Sequence, residues 1–312
     1  MTDEIDDRLI ERLGLVHARQ RIGIEEEMTP RVFGGGLNFF HPENWYSAHS
    51  VMRYILKLSG TYWPGRNQAR NIQVRTNKLP VANLPVNFED FTILHLSDIH
   101  ADMDPAATRN LEEKLDTLEY DICVITGDVR AQTSGPIDPA MREMRSLSSV
   151  LREPVYAVLG NHDSIRMVPD LEEMGIRMLL NESLHIERQG AVLHLAGIDD
   201  AHYYRVDNIE KAAMGIPHDA ASILLSHTPE VYRQAAHAGF DAMLCGHTHG
   251  GQICLPGGYP LTLDASCPKS MGSGNWRHHT MAGYTSVGAG TSIVEVRLNC
   301  PPEVTLHRLY SI

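Results

Sequence analysis

The chain has 312 residues, of which 43% are hydrophobic and 21% charged, a composition typical of soluble globular proteins and atypical of disordered or fibrous ones. Its formal net charge of −12 argues against sequence-independent nucleic-acid binding, which needs a basic surface. No basic leader precedes an apolar core, no apolar stretch approaches the roughly 20 residues that span a bilayer, and the five cysteines form no C-x-x-C pair. These features predict a cytoplasmic protein with buried free thiols and no nucleic-acid partner.

Residues 1–90 are predicted to be an N-terminal extension of a domain that covers 91–312. The stretch 44–88 has no acidic residue and contains six lysines and arginines. Val51, Tyr54, Ile55 and Leu58 form an apolar face at helical spacing. Two interpretations stay open at this point. The segment packs on the rest of the protein, or it docks as a cationic amphipathic surface on anionic lipid at the inner membrane face.

From residue 91 the pattern alternates between short apolar runs and segments of helical spacing. The predicted strands are 91–97, 121–128 and 154–163, and the predicted helices are 104–118 and 137–151. Asp104 is placed to cap the first of these helices, with Pro105 at its first position. Such strand–helix–strand repetition predicts a largely parallel sheet covered by helices.

The later half of the chain is richer in strands. The predicted strands are 176–180, 183–187, 191–198, 222–227, 240–247, 284–288 and 291–298, with one helix over 228–238. We therefore predict an α/β fold in which two sheets pack face to face with helices outside.

Possible metal ligands follow many of these strands. They are Asp98 and His100 in SDIH, Asp128 in TGD, Asn161 in GNHD, His227 in LLSH, and His247 and His249 in GHTH. If the last strand continues through GHTH, the two imidazoles lie on one side of the backbone and Thr248 on the other. Ligands gather beyond the carboxyl ends of strands in α/β sheets, so we expect these side chains to converge. Oxygen and nitrogen donors without cysteine suit manganese, iron or zinc, and seven donors suit two ions that share a carboxylate.

The motifs SDIH, TGD, GNHD, SH and GHTH, in this order, resemble those of the calcineurin-like metallophosphoesterases over residues 91–312. The longer GHTHGGQICLPG and RLNCPPEVTLHRL look like a bacterial branch that includes phosphodiesterases, near a UDP-diacylglucosamine pyrophosphatase. The resemblance implies a four-layer αββα sandwich with two mixed β-sheets and a dinuclear metal site at the carboxyl ends of the strands. Many members of this branch begin with a membrane or signal segment, from which this sequence departs.

The resemblance also implies a role for each matching residue. Asp98, His100 and His249 would bind one metal ion, and Asn161, His227 and His247 the other, with Asp128 bridging both. His162 matches the family's histidine that is not a ligand, and would stabilise the phosphoryl charge or protonate the leaving oxygen. Asp163 would orient His162.

Two cations clamp the oxygens of a phosphodiester, and a hydroxide held between them attacks phosphorus. We therefore expect a metal-dependent phosphodiesterase or pyrophosphatase, with a lipid-linked substrate favoured by the 44–88 stretch. The alternatives are a soluble cyclic-nucleotide phosphodiesterase or phosphomonoesterase, and a non-catalytic interaction protein on the same fold. Arg277, His278 and His279 either grip substrate or form a solvated loop. The substrate-binding residues and the oligomeric state stay open.

Overall fold

The computed structural model describes residues 7–27 and 45–312. Its α-helices are α1 (Asp7–Leu13), α2 (Leu15–Glu27), α3 (Tyr46–Leu58), α4 (Tyr62–Ala69), α5 (Pro105–Leu115), α6 (Asp138–Ser148), α7 (Val168–Glu173), α8 (Ile209–Ala213) and α9 (Tyr232–His237). Its strands are β1 (Gln73–Val81), β2 (Thr92–Leu96), β3 (Ile122–Thr126), β4 (Val155–Val158), β5 (Ile176–Met178), β6 (Glu182–Arg188), β7 (Ala191–Gly197), β8 (Ser222–Leu225), β9 (Ala242–Cys245), β10 (Cys254–Leu255), β11 (Tyr259–Pro260), β12 (Gly274–His278), β13 (Met281–Thr285) and β14 (Glu303–Ser311).

The strands form two mixed six-stranded sheets and a small ribbon. The first sheet has the order β1-β14-β2-β3-β4-β5, in which only the β14–β2 pair is antiparallel. The second has the order β12-β13-β9-β8-β7-β6, with a parallel centre and an antiparallel pair at each edge. Strands β10 and β11 pair with each other as the ribbon.

The core lies in three layers between and outside the sheets. Side chains of both sheets, among them Ile93, Val124, Leu195 and Leu244, form the central cluster. Helices α1, α2, α5, α6 and α7 cover the outer face of the first sheet, and α8 and α9 cover that of the second. The predicted four-layer αββα sandwich with two mixed sheets is therefore confirmed.

Most predicted elements between 91 and 285 are present, with ends that differ by a few residues. The predicted strand over 291–298 is wrong, because this segment is irregular and makes only an isolated bridge from Leu298 to Ile253. Its alternating Val294 and Val296 are buried against Leu56 and Tyr62 of α3 and α4 rather than in a sheet.

Strands β1, β10, β11, β12 and β14 were not predicted. Strands β10 and β11 have only two residues each, and β1 joins the first sheet through its parallel pairing with β14. Strand β1 lies inside residues 1–90, so part of the predicted extension belongs to the sheet, and the boundary near residue 90 stays a prediction.

Most arginines of the basic stretch 44–88 form ion pairs with acidic residues elsewhere in the protein. Arg53 lies 2.9 Å from Glu295, Arg70 lies 2.7 Å from Asp104, and Arg75 pairs with Glu303.

None of the helices described for the chain is both long and apolar enough to cross a membrane. All five cysteines are free thiols, and four of them are buried, as predicted.

Candidate metal centre

The predicted ligands lie just beyond the carboxyl ends of five strands, in backbone that is strained. Strands β2, β3, β4, β8 and β9 lead into the segments that carry them. Five of the seven have φ angles that favour glycine: Asp98 (49°), His100 (43°), Asp128 (54°), His247 (73°) and His249 (50°). Each such residue costs about 1–3 kcal/mol and persists only where its surroundings hold it. Strain concentrated at these positions points to a functional site.

The GHTH segment differs from its predicted geometry. Strand β9 ends at Cys245, Thr248 has helical backbone angles, and His249 begins a 3₁₀ turn. The two imidazoles therefore belong to different clusters instead of one face of a strand. A Cβ at Gly246 would lie 1.8 Å from Ser97 Oγ and 2.3 Å from Asp98 Oδ2, so only glycine lets this turn approach the end of β2.

Asp98, His100 and His249 form the first cluster, and all three are buried. Nε2 of His100 lies 3.1 Å from Nε2 of His249, which is 3.5 Å from Asp98 Oδ1. The carboxylate of Asp98 accepts hydrogen bonds from the Ser97 hydroxyl (2.6 Å) and from the backbone N–H of His247 (3.0 Å). The three donor atoms are near enough to share one ion.

Asp128, His227, His247 and Asn161 form the second cluster. Nε2 of His227 lies 2.9 Å from Asn161 Oδ1, 3.1 Å from His247 Nδ1 and 3.3 Å from Asp128 Oδ2. The same Oδ2 lies 3.8 Å from Nε2 of His100 in the first cluster. Asp128 thus stands between the two clusters, where a bridging carboxylate is expected.

The chemistry of these donors fits a pair of cations. Nδ1 of His100 donates to Arg130 O (2.8 Å) and Nδ1 of His227 donates to Thr126 O (2.7 Å), so in the neutral form of each ring Nε2 directs a lone pair inward. His249 is oriented differently, because its Nδ1 lies 3.1 Å from Nη2 of Arg297, which can only donate. A proton on Nε2 of His249 would have to leave before that nitrogen bound a metal. Nε2 of His247 is buried without a hydrogen-bond partner among the residues described.

Burial and mutual repulsion keep most of these imidazoles neutral. Burial, with the neighbouring His162, lowers the pKa of His100, and burial lowers those of His247 and His249 well below the usual value. Burial also disfavours charge on His227, but Asp128 outweighs it and raises the pKa to about 10. Burial opposes ionisation of Asp128, yet His227 and His162 hold its pKa well below normal. A negative charge is therefore fixed at the centre beside a protonated His227, and the imidazoles of His100, His247 and His249 stay neutral.

Asp163 acts on the ligand loops and not on the His162 ring. Its carboxylate accepts four backbone N–H bonds, from Asp128 (2.8 Å), Val129 (2.9 Å), Gly160 (2.9 Å) and Arg130 (3.3 Å). The imidazole of His162 donates instead from Nδ1 to Ala131 O (2.8 Å). The prediction that Asp163 orients His162 is corrected accordingly: the two are coupled through the loop.

Three buried groups that support the site were missed in the sequence. Arg21 of α2 donates to the backbone oxygen of Asp163 (2.7 Å). Glu230 pairs with His202 (2.9 Å), whose ring centroid lies 4.2 Å from that of His247. No motif marks any of these positions, because each acts through contacts between segments distant in sequence.

Some candidate residues lie apart from the centre. Arg277, His278 and His279 fall on β12 and the turn after it, and none of them lines the cleft that contains the metal ligands. Asp104 caps α5 through a bond from Ala106 N (3.2 Å), as predicted. Asp102 accepts a bond from Ala131 N (2.8 Å).

The two clusters open into a cleft of about 710 Å³. Asp128, Asn161, His162, His247 and His249 contribute to its lining. The remaining lining residues come mainly from α3 and from the segments 251–264 and 292–293. The candidate metal centre is therefore accessible to a small-molecule substrate.

The chain is similar in sequence to known metallophosphoesterases. Residues 91–251 match the family described as calcineurin-like phosphoesterase. The chain is 29% identical to the uncharacterized metallophosphoesterase YkoQ of Bacillus subtilis (strain 168), over 80% of this chain and 94% of that protein. It is 31% identical to the Bos taurus transmembrane protein with metallophosphoesterase domain, over 77% of this chain but only 57% of that protein. It is 28% identical to phosphodiesterase YaeI of Escherichia coli (strain K12), over 72% of this chain and 83% of that protein.

Proposed function

The chain belongs to the calcineurin-like phosphoesterases and is a metal-dependent phosphoester hydrolase, and from that premise we propose that it cleaves phosphodiesters or pyrophosphates at a pair of metal ions. The observation that carries the proposal is the convergence of seven buried donor residues, with Asp128 at their centre. The relative named phosphodiesterase YaeI supports a diester over a monoester. A non-catalytic role has less support, because every proposed ligand position holds a competent donor.

The proposed ligands divide into two sets that share one residue. Asp98, His100 and His249 would bind one ion, and Asn161, His227 and His247 the other, with Asp128 between them. Manganese, iron and zinc all suit imidazole and carboxylate donors. When bound, such a pair neutralises phosphate charge and lowers the pKa of a shared water.

His162 is the proposed catalytic residue that is not a ligand. Its Nδ1 donates a hydrogen bond to Ala131 O, so Nε2 is the ring nitrogen that faces the substrate. This Nε2 lies 3.8 Å from Asp128 Oδ2, and the residue lines the cleft. From this position Nε2 can stabilise charge on the phosphoryl group or donate a proton to the leaving-group oxygen.

Peripheral membrane contact through the basic stretch 44–88 is less favoured by the structure than by the sequence. Arg53, Arg70 and Arg75 pair with acidic residues of the same chain, so they contribute less charge to an anionic surface than the sequence suggested. Exposed apolar residues remain on this part of the protein, including Leu58 (70% exposed) and Trp63 (63% exposed). A lipid-linked substrate depends on the apolar walls of the cleft, to which α3 of this stretch contributes, rather than on the basic residues of the stretch.

Two variants test the metal-site proposal, with turnover of bis-p-nitrophenyl phosphate in added manganese and metal content by mass spectrometry as readouts. Asp128→Ala should lose both ions and activity, because it removes the shared carboxylate. His162→Ala should keep its metal content and lose turnover. His185→Ala, at an exposed position on β6, is the matched control. An Asp128→Ala protein that is metal-replete and fully active would refute the assignment.

A further inference from the structure

The cleft over the metal centre has a polar end and an apolar end. Its polar end is the candidate metal centre. Its apolar lining comes from α3 and from two later segments: Val51, Met52, Ile55, Leu56, Ile253, Leu261 and Ile293. A volume of about 710 Å³ is typical of a small-molecule site, in which apolar walls surround a few placed polar groups.

Helix α3 is attached firmly enough to serve as a wall. Leu56 packs with Tyr62, Val294 and Val296 in a buried cluster. Glu295, in the same segment as the two valines, accepts hydrogen bonds from Arg53 (2.9 Å) and from the Tyr62 hydroxyl (2.5 Å). One side of α3 is therefore held by the 293–298 segment, and other apolar side chains of the helix face the cleft.

Several of these cleft residues are exposed although they are large and apolar. Val51 is 58% exposed, Ile55 57% and Leu261 61%. Exposed apolar side chains that line one cleft mark a binding site, because their hydration is unfavourable unless a ligand covers them. The position of this surface beside the metal ligands ties its occupant to the substrate.

The charges in the cleft argue against a polyanionic occupant. Asp128 and Asp264 are the acidic lining residues, and within the described part of the chain no lysine or arginine lines the cleft. A nucleotide with several phosphates would find no lysine or arginine in the described lining to pair with the phosphates that lie beyond the metal ions. A hydrocarbon chain needs no charged partner and gains from contact with every apolar wall.

We propose that the cleft binds the hydrocarbon chain of an amphiphilic phosphodiester and places its phosphate at the metal centre. The substrate class is thus a phosphodiester with a long alkyl or acyl chain. The inference rests on the proposed phosphodiesterase function and adds the part of the substrate that the metal ligands cannot specify. Val51, Ile55 and Leu261 become the residues that discriminate by chain length.

A series of alkyl p-nitrophenyl phosphodiesters tests the proposal, because chain length varies while the leaving group stays constant. Each methylene that leaves water strengthens binding by up to about fourfold. We expect kcat/KM, measured with manganese below the critical micelle concentration, to rise at least about tenfold from methyl to octyl. Equal kcat/KM for the two esters would overturn the inference.

Substitutions on the two walls locate the effect. Ile55→Asn and Leu261→Asn should each reduce the octyl-to-methyl ratio of kcat/KM several-fold, because a polar amide replaces apolar wall. Leu58→Asn is the matched control, since Leu58 lies on the same helix, is 70% exposed and does not line the cleft. A ratio that falls equally in the control, or stays unchanged in both wall variants, would contradict the assignment.

Calorimetry with methyl and octyl phosphonates in manganese measures the same preference without turnover. Tighter octyl binding with a negative heat-capacity change, reduced by Ile55→Asn, is the expected result. This readout separates the two claims. A protein that binds octyl phosphonate by this criterion but hydrolyses no diester would refute the proposed function and retain the chain-binding cleft. A protein that hydrolyses bis-p-nitrophenyl phosphate without preference for octyl would do the reverse.

Discussion

The buried carboxylate of Asp163 offers the sharpest test of how the ligand loops are held. Its Oδ1 accepts from Val129 N (2.9 Å) and Arg130 N (3.3 Å), and its Oδ2 accepts from Asp128 N (2.8 Å) and Gly160 N (2.9 Å). Asp163→Asn keeps the shape but supplies one acceptor oxygen, so its NH₂ group must face two N–H donors. Two bonds to a charged group are lost, each worth about 1.5–3 kcal/mol. The free energy of unfolding should therefore fall by about 3–6 kcal/mol.

Urea unfolding with EDTA present measures this change without a contribution from bound metal. Asp102→Asn is the matched control, because Asp102 accepts a single backbone bond, from Ala131 N, through Oδ1. The amide oxygen can replace that acceptor, so the control should lose less than about 1 kcal/mol. If Asp163→Asn unfolds at the same urea concentration and with the same slope as the control, the four-bond account is wrong.

Other parts of the chain allow equally direct tests. Asp104→Asn removes the charge that faces Arg70 and should cost about 0.5–1 kcal/mol at pH 7 in urea unfolding. Burial disfavours the charged form of Asp104, but Arg70 prevails and lowers its pKa below the ordinary 3.8. Its stabilisation is therefore present above that value and lost as the pH falls through the folded-state pKa, so the two proteins should become equally stable in acid; a constant difference would exclude the ion pair. Gly246→Ala should lose about 3 kcal/mol or more together with metal binding, because its Cβ would overlap the Ser97 hydroxyl, and a stable metal-loaded variant would show that the turn can move. Gly23→Ala, in α2 with no atom within 4 Å of its Cβ, should raise the thermal midpoint by the equivalent of about 0.5–1 kcal/mol, and a lower midpoint would contradict its helical setting.

The part of the site that follows strand ends could be predicted from the sequence. Buried parallel strands read as short apolar runs, and their carboxyl ends share one edge of a sheet. Asp98 and Asp128 follow neighbouring strands of the first sheet within two residues, so their convergence needs no knowledge of the loops. His227 follows β8 of the second sheet, so its approach to them depends on how the two sheets pack. The order of the motifs then separated this arrangement from chance occurrences of the same residues.

The local backbone at the ligands could not be predicted in the same way. Strand alternation suggested one face for His247 and His249, but the chain turns after Cys245 and gives both residues positive φ angles. The two-residue alternation of a strand does not predict side-chain direction where tertiary contacts enforce a strained turn. Here that contact is the packing of Gly246 on the end of β2. The same limit applies to Val294 and Val296, whose alternation serves contact with α3 and α4 rather than a sheet.

The support from the N-terminal helices is of a third kind, visible only in the fold. Arg21 is fully buried, donates to Asp163 O, and lies over the Tyr204 ring at 3.3 Å. Glu25 accepts bonds from the Ser164 hydroxyl and from Ile165 N (both 2.7 Å). Residues from the predicted N-terminal extension thus brace the loop that carries Asn161 and His162. Composition counts the charges of that extension but cannot say which partners they find.

A single glutamine connects the metal centre to the apolar wall of the cleft. Gln252, three residues after His249, has a φ of 53° and donates from Nε2 to Ser292 O (2.8 Å) and Val294 O (3.1 Å). Its Oε1 accepts from Ser292 N (2.8 Å). The GHTHGGQ segment therefore fixes the 292–298 loop, and that loop holds α3 through Val294 and Glu295. A residue range that reads as a metal-binding motif also sets the distance between the proposed catalytic ions and the hydrocarbon-binding wall, so the two halves of the proposed substrate site are parts of one structural unit.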